Sequence, residues 1–382
     1  MPSSPARTAV TIASTACWTT LGRGATEQAA GLGRSAWRPS GGRIDDRWPY
    51  RDLKTRTGHG GQPEALHDVA REALERAELD PECRASCGLI LGTSCSTLPE
   101  DEHVWRTTGH ADREFLAMNQ PQGHGTQLER LALELGVHGP RYLVGTACSS
   151  SANALLYGAR MVSLGRAPAV LVVGAELFNT LTLRGFEALM LLDQQYAKPF
   201  DQTRNGLTLG AGVGALVLRP ADCTPGPWRL RGGATLSDTD NPTHTSASRV
   251  QQVILDAVEQ ADCTLSEITA VKAHGTATPN NDRAEGQGIA MAFQGSPPAV
   301  SSLKGAMGHT LGACGAVETV ALMACLDAGF WPRTHGLEHP DPDCGILPCQ
   351  APVPMQTGIF LLNFFGFGGN NCVLVLERHH GS

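Results

Sequence analysis

Short apolar runs of strand length recur along this chain, at 8–12, 87–92, 142–145, 169–174, 214–218, 268–272, 359–362 and 372–376. Between them lie stretches with helical spacing, at 63–77, 127–135, 149–164, 250–261 and 310–327. Apolar strands alternating with helices predict an α/β fold whose sheet strands are buried on both faces. The 63–77 stretch has distinct polar and apolar faces and belongs at the surface. Two stretches differ. Both 149–164 (SSSANALLYGARMVSL) and 310–327 (TLGACGAVETVALMACLD) are apolar or small almost all round, the mark of a buried helix. Each follows a turn of small residues, and they sit in opposite halves, as if one unit were used twice. The Pro/Gly-rich ADCTPGPW at 221–228 is the natural seam, giving halves 1–220 and 230–382 joined by a linker at 221–229.

With 382 residues, 41% of them hydrophobic, the chain can bury a large core, either as two domains or as one fold with two halves. Forty-four glycines and only 5% aromatics favour tight turns and close backbone packing. A net charge of −7 argues against nucleic acid as partner. No apolar run approaches the roughly 18 residues of a membrane-spanning helix, and the Thr-rich N-terminus makes a poor signal peptide. The expectation is a cytoplasmic protein without membrane insertion. Twelve cysteines scattered from Cys17 to Cys372, with no CxxC pair, suit buried small hydrophobes better than disulfides or a metal site. The basic residues are 26 Arg and four Lys: Lys54, Lys198, Lys272 and Lys304. Each lysine carries a compact, titratable charge that arginine does not supply.

Four segments carry candidate chemistry. Cys148, in GTACSSS, lies where a strand meets a buried helix; backbone N–H groups and the helix dipole there favour a thiolate nucleophile. The bland alternative is an inert buried thiol. His274, in HGTATPNNDRAE, follows a strand, with Thr276 and Thr278 on the same loop and Asp282 and Glu285 beyond. A lone histidine there is more often structural. SLKGAMGHTLGACGAVE sets Lys304, His309 and Glu318 around a Gly-rich turn, where Lys304 and Glu318 can pair inside the core. Finally NFFGFGGNN (363–371) reads as a glycine-rich hairpin whose N–H groups can stabilise an oxyanion. GAGVG (210–214) runs into an apolar strand instead of opening a helix, so it is no dinucleotide loop.

One Cys, two His, one Lys and a GFGG loop, in this order, resemble the β-ketoacyl synthases, the condensing enzymes of fatty-acid and polyketide synthesis. KPFDQTRNG (198–206) also resembles that family's PFDxxRDG segment. The resemblance covers nearly the whole chain and implies the thiolase fold: two similar halves in five layers, α-β-α-β-α, normally a dimer. It implies that Cys148 accepts an acyl group from an acyl carrier protein as a thioester. His274 and His309 would then donate hydrogen bonds to the enolate formed as malonyl carrier protein loses carbon dioxide. The N–H groups of Cys148 and Phe367 would form the oxyanion hole. Lys304, held by Glu318, would support the electrostatics near His309, while Thr276 and Thr278 would bind the phosphopantetheine arm. No metal or other bound cofactor is implied.

An acidic carrier needs a local basic patch. Residues 34–56 offer Arg34, Arg38, Arg43, Arg47, Arg51, Lys54 and Arg56 against Asp45, Asp46 and Asp52, although an ordinary solvated surface would look the same. The family's HGTGT is HGTAT here, with the Ala277 methyl expected beside the pantetheine loop. RDGFxxGEG reads RNGLTLGAG, so Asn205 and Ala211 replace two acids, and NSFGFGG reads NFFGFGG. Phe364, with Phe186 and Met190, is a candidate for the acyl pocket; core packing is its alternative. The motif variants are similar to those of synthases from aryl polyene and other specialised pathways. The competing readings are a non-catalytic, chain-length-factor-like partner of a ketosynthase, an initiating synthase or thiolase acting on coenzyme A thioesters, and a cysteine acyltransferase or hydrolase without decarboxylation. The dimer is either homomeric or formed with a ketosynthase-like subunit.

Overall fold

A computed structural model describes residues 8–33, 43–44, 47–55, 58–59, 64–95, 97–108, 123–239 and 245–379. Ten strands form one continuous path in two groups of five. In chain order, the first group is Val10–Thr19, Gly88–Gly92, Arg141–Val144, Val170–Glu176 and Gly212–Pro220. The second is Trp228–Ser237, Ile268–Lys272, Ala299–Ser301, Gly358–Gly366 and Asn370–Arg378. Numbered within its own group, each runs 3-2-4-5-1 across the sheet. The pairing directions also match: 1 with 5 and 5 with 4 antiparallel, 4 with 2 and 2 with 3 parallel. The groups meet through a single bridge between Thr11 and Arg229. The duplication expected from the two buried helices is therefore present strand by strand.

The helices repeat as well. Between the third and fourth strands of each group lies one core helix: Ser150–Ser163 in the first half, Cys314–Asp327 in the second. Both pack between the two groups of strands. Ala65–Arg76 and His124–Leu135 cover the outer face of the first group; Ala247–Gln260 and Pro279–Ala292 cover that of the second. This is the five-layered α-β-α-β-α thiolase arrangement.

Alternation along the strands explains the layering. Val170 and Val172 point into the central core with the two core helices, while Leu171 and Val173 point into the outer core of the first half. Phe360 and Leu362 face the centre, and Leu361 faces the outer core of the second half. Both faces are apolar because both are covered. Every residue from Cys314 to Leu326 is buried. The core helices approach closely enough that a Cβ on Gly315 would lie 2.0 Å from the backbone nitrogen of Ala152.

Three elements differ from the sequence reading. The first strand runs on to Thr19, so the 8–12 run was only its start. Trp228–Ser237, with two glycines and a bulge, lacks a clean apolar pattern but becomes the first strand of the second half. The segment bearing Asp282 and Glu285 is a helix, Pro279–Ala292, opened by proline at its first position.

Candidate active site

Both core helices are entered through the same bent turn. A 3-10 turn, Ala147–Ser149, precedes the first, and Leu311–Ala313 precedes the second. The first residue of each turn has a left-handed backbone, φ +48° at Ala147 and +45° at Leu311. A non-glycine residue in that region costs about 1–2 kcal/mol, and here the surrounding packing holds it twice. In the first half the bend presents Cys148. In the second the equivalent residue is Gly312, whose N–H donates to Glu176 Oε2 at 2.8 Å. Glu176 also accepts from Thr93 Oγ1, Ser94 N and Cys95 N, tying the loop after Gly88–Gly92 to the second half.

Cys148, His274 and His309 line one cavity of about 240 Å³, together with Thr276, Thr278 and Phe367. The imidazoles of His274 and His309 stand edge to face, centroids 5.3 Å apart. Lys304 Nζ lies 3.2 Å from His274 Nδ1 and 2.6 Å from Glu318 Oε1. An ammonium only donates, so His274 Nδ1 accepts and its proton sits on Nε2. His309 Nδ1 accepts from the Leu311 N–H at 3.2 Å and faces Cys314 Sγ at 3.2 Å, which puts its proton on Nε2 too. Burial first, then the charge of Lys304, holds both histidines well below the usual imidazole range. The site therefore presents two neutral imidazoles, each with one N–H left to donate.

The sequence expectation for Cys148 needs correction. Burial pushes its thiol up to about 12, and Cys314 adds to the rise. Lys304 and the Phe367 backbone N–H act the other way without prevailing. The resting sulfur is a protonated thiol, because the same close packing that surrounds it with small residues removes water.

Phe367 tops the hairpin between Gly358–Gly366 and Asn370–Arg378. Gly368 and Gly369 turn it with φ of +81° and +77°, and a Cβ on Gly369 would lie 1.8 Å from the Asp238 carbonyl oxygen. The Phe367 ring stacks on Phe186 at 5.7 Å. The Thr276 and Thr278 hydroxyls are 2.9 Å apart at the cavity wall. Asp282 and Glu285 are backbone staples: Asp282 accepts from Phe200 N and Ala277 N, and Glu285 from His274 N, Gly275 N and Asn363 Nδ2.

Several residues lie elsewhere than the sequence suggested. Phe364 is fully buried in the central core, its ring 3.6 Å from Lys272 Nζ, so it packs there instead of forming acyl pocket. Met190 is 87% exposed and lies outside the cavity lining; of the three pocket candidates, Phe186 lines it. Ala277 is buried behind the cavity wall, with φ +68°. Lys304 touches His274 directly and acts on His309 through its charge. In the 34–56 stretch, Arg34, Arg38, Asp45, Asp46, Arg56 and the side chain of Arg43 lie outside the described residues. Arg47 pairs with Glu187 and Lys54 with Glu27, while Arg51 is buried over Tyr196, so it offers no docking charge.

Sequence reasoning marked Lys272 only as one of four lysines, without a role, and passed over Cys314 and Glu176. Lys272 Nζ lies 2.5 Å from Glu318 Oε2 and 2.7 Å from the Asn363 carbonyl. A lone lysine closing the apolar run ITAVK was the available signal. Cys314 and Glu176 gave none: Cys314 sits in an otherwise apolar helix, and the Gly312 N–H reaches Glu176 from the opposite half.

Comparison with known proteins identifies the family of the chain. Residues 57–223 match the family model described as beta-ketoacyl synthase, N-terminal domain, and 229–338 the C-terminal domain. Nodulation protein E of Rhizobium sp. (strain N33) is 26% identical over 323 residues, 81% of this chain and 80% of that protein. The ketoacyl synthase alpha subunit of the tetracenomycin polyketide synthase of Streptomyces glaucescens is 29% identical over 347 residues, 81% and 79% of the two chains. 3-Oxoacyl-[acyl-carrier-protein] synthase 2 of Vibrio harveyi is 33% identical over 268 residues, and the match spans 65% of this chain but only 64% of that enzyme. Among solved structures, the ketosynthase (ApeO) in complex with its chain length factor (ApeC) from Xenorhabdus doucetiae superposes with a TM-score of 0.79 at 26% identity, covering 99% and 100% of the two chains. No described helix is long and apolar enough to cross a membrane.

Proposed function

Because this chain belongs to the β-ketoacyl synthase family, we propose that it joins a Cys148-bound acyl group to malonyl carrier protein by decarboxylative condensation. The observation that carries this reading is the pair of neutral Nε2–H imidazoles sharing a cavity with one cysteine on a bent helix entrance. An acyl carrier protein is the partner, and phosphopantetheine enters on it, along Thr276 and Thr278. A second, ketosynthase-like subunit is the further partner, as in the ApeO–ApeC complex.

The Cys148 sulfur attacks the carrier thioester carbonyl, and the pantetheine thiolate leaves. The proton lost by the Cys148 thiol is taken up by the departing sulfur. The malonyl thioester then enters with its carbonyl oxygen at the two Nε2–H groups. Its C–C bond breaks, carbon dioxide leaves, and the electron pair becomes an enolate held by those donors. The enolate carbon attacks the acyl-cysteine carbonyl, whose oxygen takes the N–H groups of Cys148 and Phe367. Collapse expels the Cys148 thiolate, which regains a proton, and releases the β-ketoacyl carrier. Lys304 keeps the His274 proton on Nε2, and the Glu318 pair keeps Lys304 charged.

The test is intact-mass spectrometry with acyl carrier proteins, followed by malonyl carrier protein. An adduct on Cys148 that disappears as a β-ketoacyl carrier forms supports condensation. An adduct that decays to free acid supports a hydrolase instead, and no adduct with any carrier supports a non-catalytic subunit.

A further inference from the structure

Glu318 needs one ammonium to be neutralised, and Lys304 supplies it. The chain nevertheless brings a second. Lys272 closes the strand Ile268–Lys272, two residues before His274, and its side chain is wholly buried. Its ammonium meets three electron-rich groups: Glu318 Oε2 at 2.5 Å, the Asn363 carbonyl at 2.7 Å and the Phe364 ring face at 3.6 Å. That surrounding suits a charged amine. Two ammoniums against one carboxylate leave one surplus positive charge in a dry core, immediately behind the two histidines that face the substrate.

We propose that Lys272 is a positioning residue that places this surplus charge behind His274 and His309 and so favours the enolate step over acyl transfer. The inference rests on the condensing reading of the site. Lys272 is among the groups that hold both imidazoles neutral, whereas the groups acting on Cys148 are Cys314, Lys304 and Glu176. A merely structural residue at this point needs no charge, since an apolar side chain fills the same space without a buried ammonium.

The charge is also adjustable. Around Lys272 stand Glu318 and Cys314 from the second core helix, Lys304 from the turn before it, His274 and His309 from the cavity wall, and Cys372 from Asn370–Arg378, the next strand but one. Burial, with Lys304 adding to it and Glu318 opposing, brings Lys272 down to about 8. As pH rises through that value the surplus charge disappears and Glu318 keeps Lys304 alone.

The experiment compares wild type and Lys272→Met across pH 6–9.5, measuring malonyl-carrier decarboxylation and Cys148 acylation separately. In wild type, decarboxylation should fall as pH passes about 8, while acylation shows no matching fall. In Lys272→Met, decarboxylation at pH 7 should be lower by about tenfold and flat through that window, with acylation within about twofold. Equal losses in both half-reactions, or an unchanged decarboxylation profile, overturn the proposal. If the variant does not fold, the wild-type profile decides together with the ¹⁵Nζ titration of Lys272: an ordinary lysine titration, or decarboxylation level across pH 8, overturns it. A folded wild type that neither acylates nor decarboxylates sinks the condensing reading itself, a different failure from a wild type that does both without the pH 8 limb.

Discussion

Replacing Glu318 by Gln keeps shape and removes the one negative charge between two buried ammoniums. Glu318 and Lys304 are each 1% exposed and Lys272 0%, so water cannot take over the lost role. Removing one partner of a buried ion pair costs about 3–5 kcal/mol. Lys272, already down at about 8, escapes by giving up its proton, which leaves Lys304 as the uncompensated charge. One ammonium's penalty, about 3–5 kcal/mol near pH 8, is therefore expected. The deficit should grow at lower pH, where the folded variant must also hold Lys272 charged. The assay is urea unfolding followed by near-ultraviolet circular dichroism, at pH 6.5 and 8.5. The double variant Lys272→Met/Glu318→Gln removes one cation along with the carboxylate. It should be more stable than Glu318→Gln alone, with a coupling of about 1–3 kcal/mol. A loss under about 1 kcal/mol, the range of an exposed pair, or no recovery in the double variant, would refute the description of this cluster as mutually dependent charges.

Gly315→Ala places a methyl 2.0 Å from the backbone nitrogen of Ala152, and backbone cannot step aside. A loss on the order of 3 kcal/mol, the upper end of overpacking, is expected in the same unfolding assay, and a neutral result would mean that the core helices do not cross there. Ala277→Gly relieves a left-handed alanine costing about 1–2 kcal/mol, offset by about 0.5–1 kcal/mol of extra freedom in the unfolded chain. Scanning calorimetry should show a Tm unchanged or higher by about 1–2 °C, and a clear fall would refute the strain. His309 is held well below the usual imidazole range, so below about pH 6.5 the unfolded chain takes up a proton that the folded one refuses. Stability is then lost as pH falls, by about 1.4 kcal/mol per unit for this one residue. His309→Gln should make the fall between pH 6.5 and 5.5 shallower by about 1 kcal/mol, because the unfolded histidine is already half protonated at about pH 6.5, and an identical slope would show that His309 titrates normally.

The two all-apolar stretches before Leu164 and Asp327 could be read as buried helices from residue type alone, because no amphipathic face was left to meet water. Their likeness in opposite halves already implied the duplication that the matching 3-2-4-5-1 strand orders display. The order of Cys148, His274, Lys304, His309 and the GFGG loop pointed to the family, because each motif is short and its glycines serve a local turn. Other properties depend on what stands opposite in space. Ser150–Ser163 and Cys314–Asp327 meet only after their strands are laid side by side, and that meeting sets Cys314 near Cys148, where it adds to the rise that burial gives the Cys148 thiol. Phe364 looked like a pocket residue beside the GFGG loop, yet strand alternation turned its ring to the central core, onto Lys272. The tautomer of His274 follows from Lys304, on another element, whereas that of His309 is set locally by the Leu311 N–H. Residue identity and spacing determine which turns and helices form; charge states belong to the assembled core, where burial outweighs local sequence.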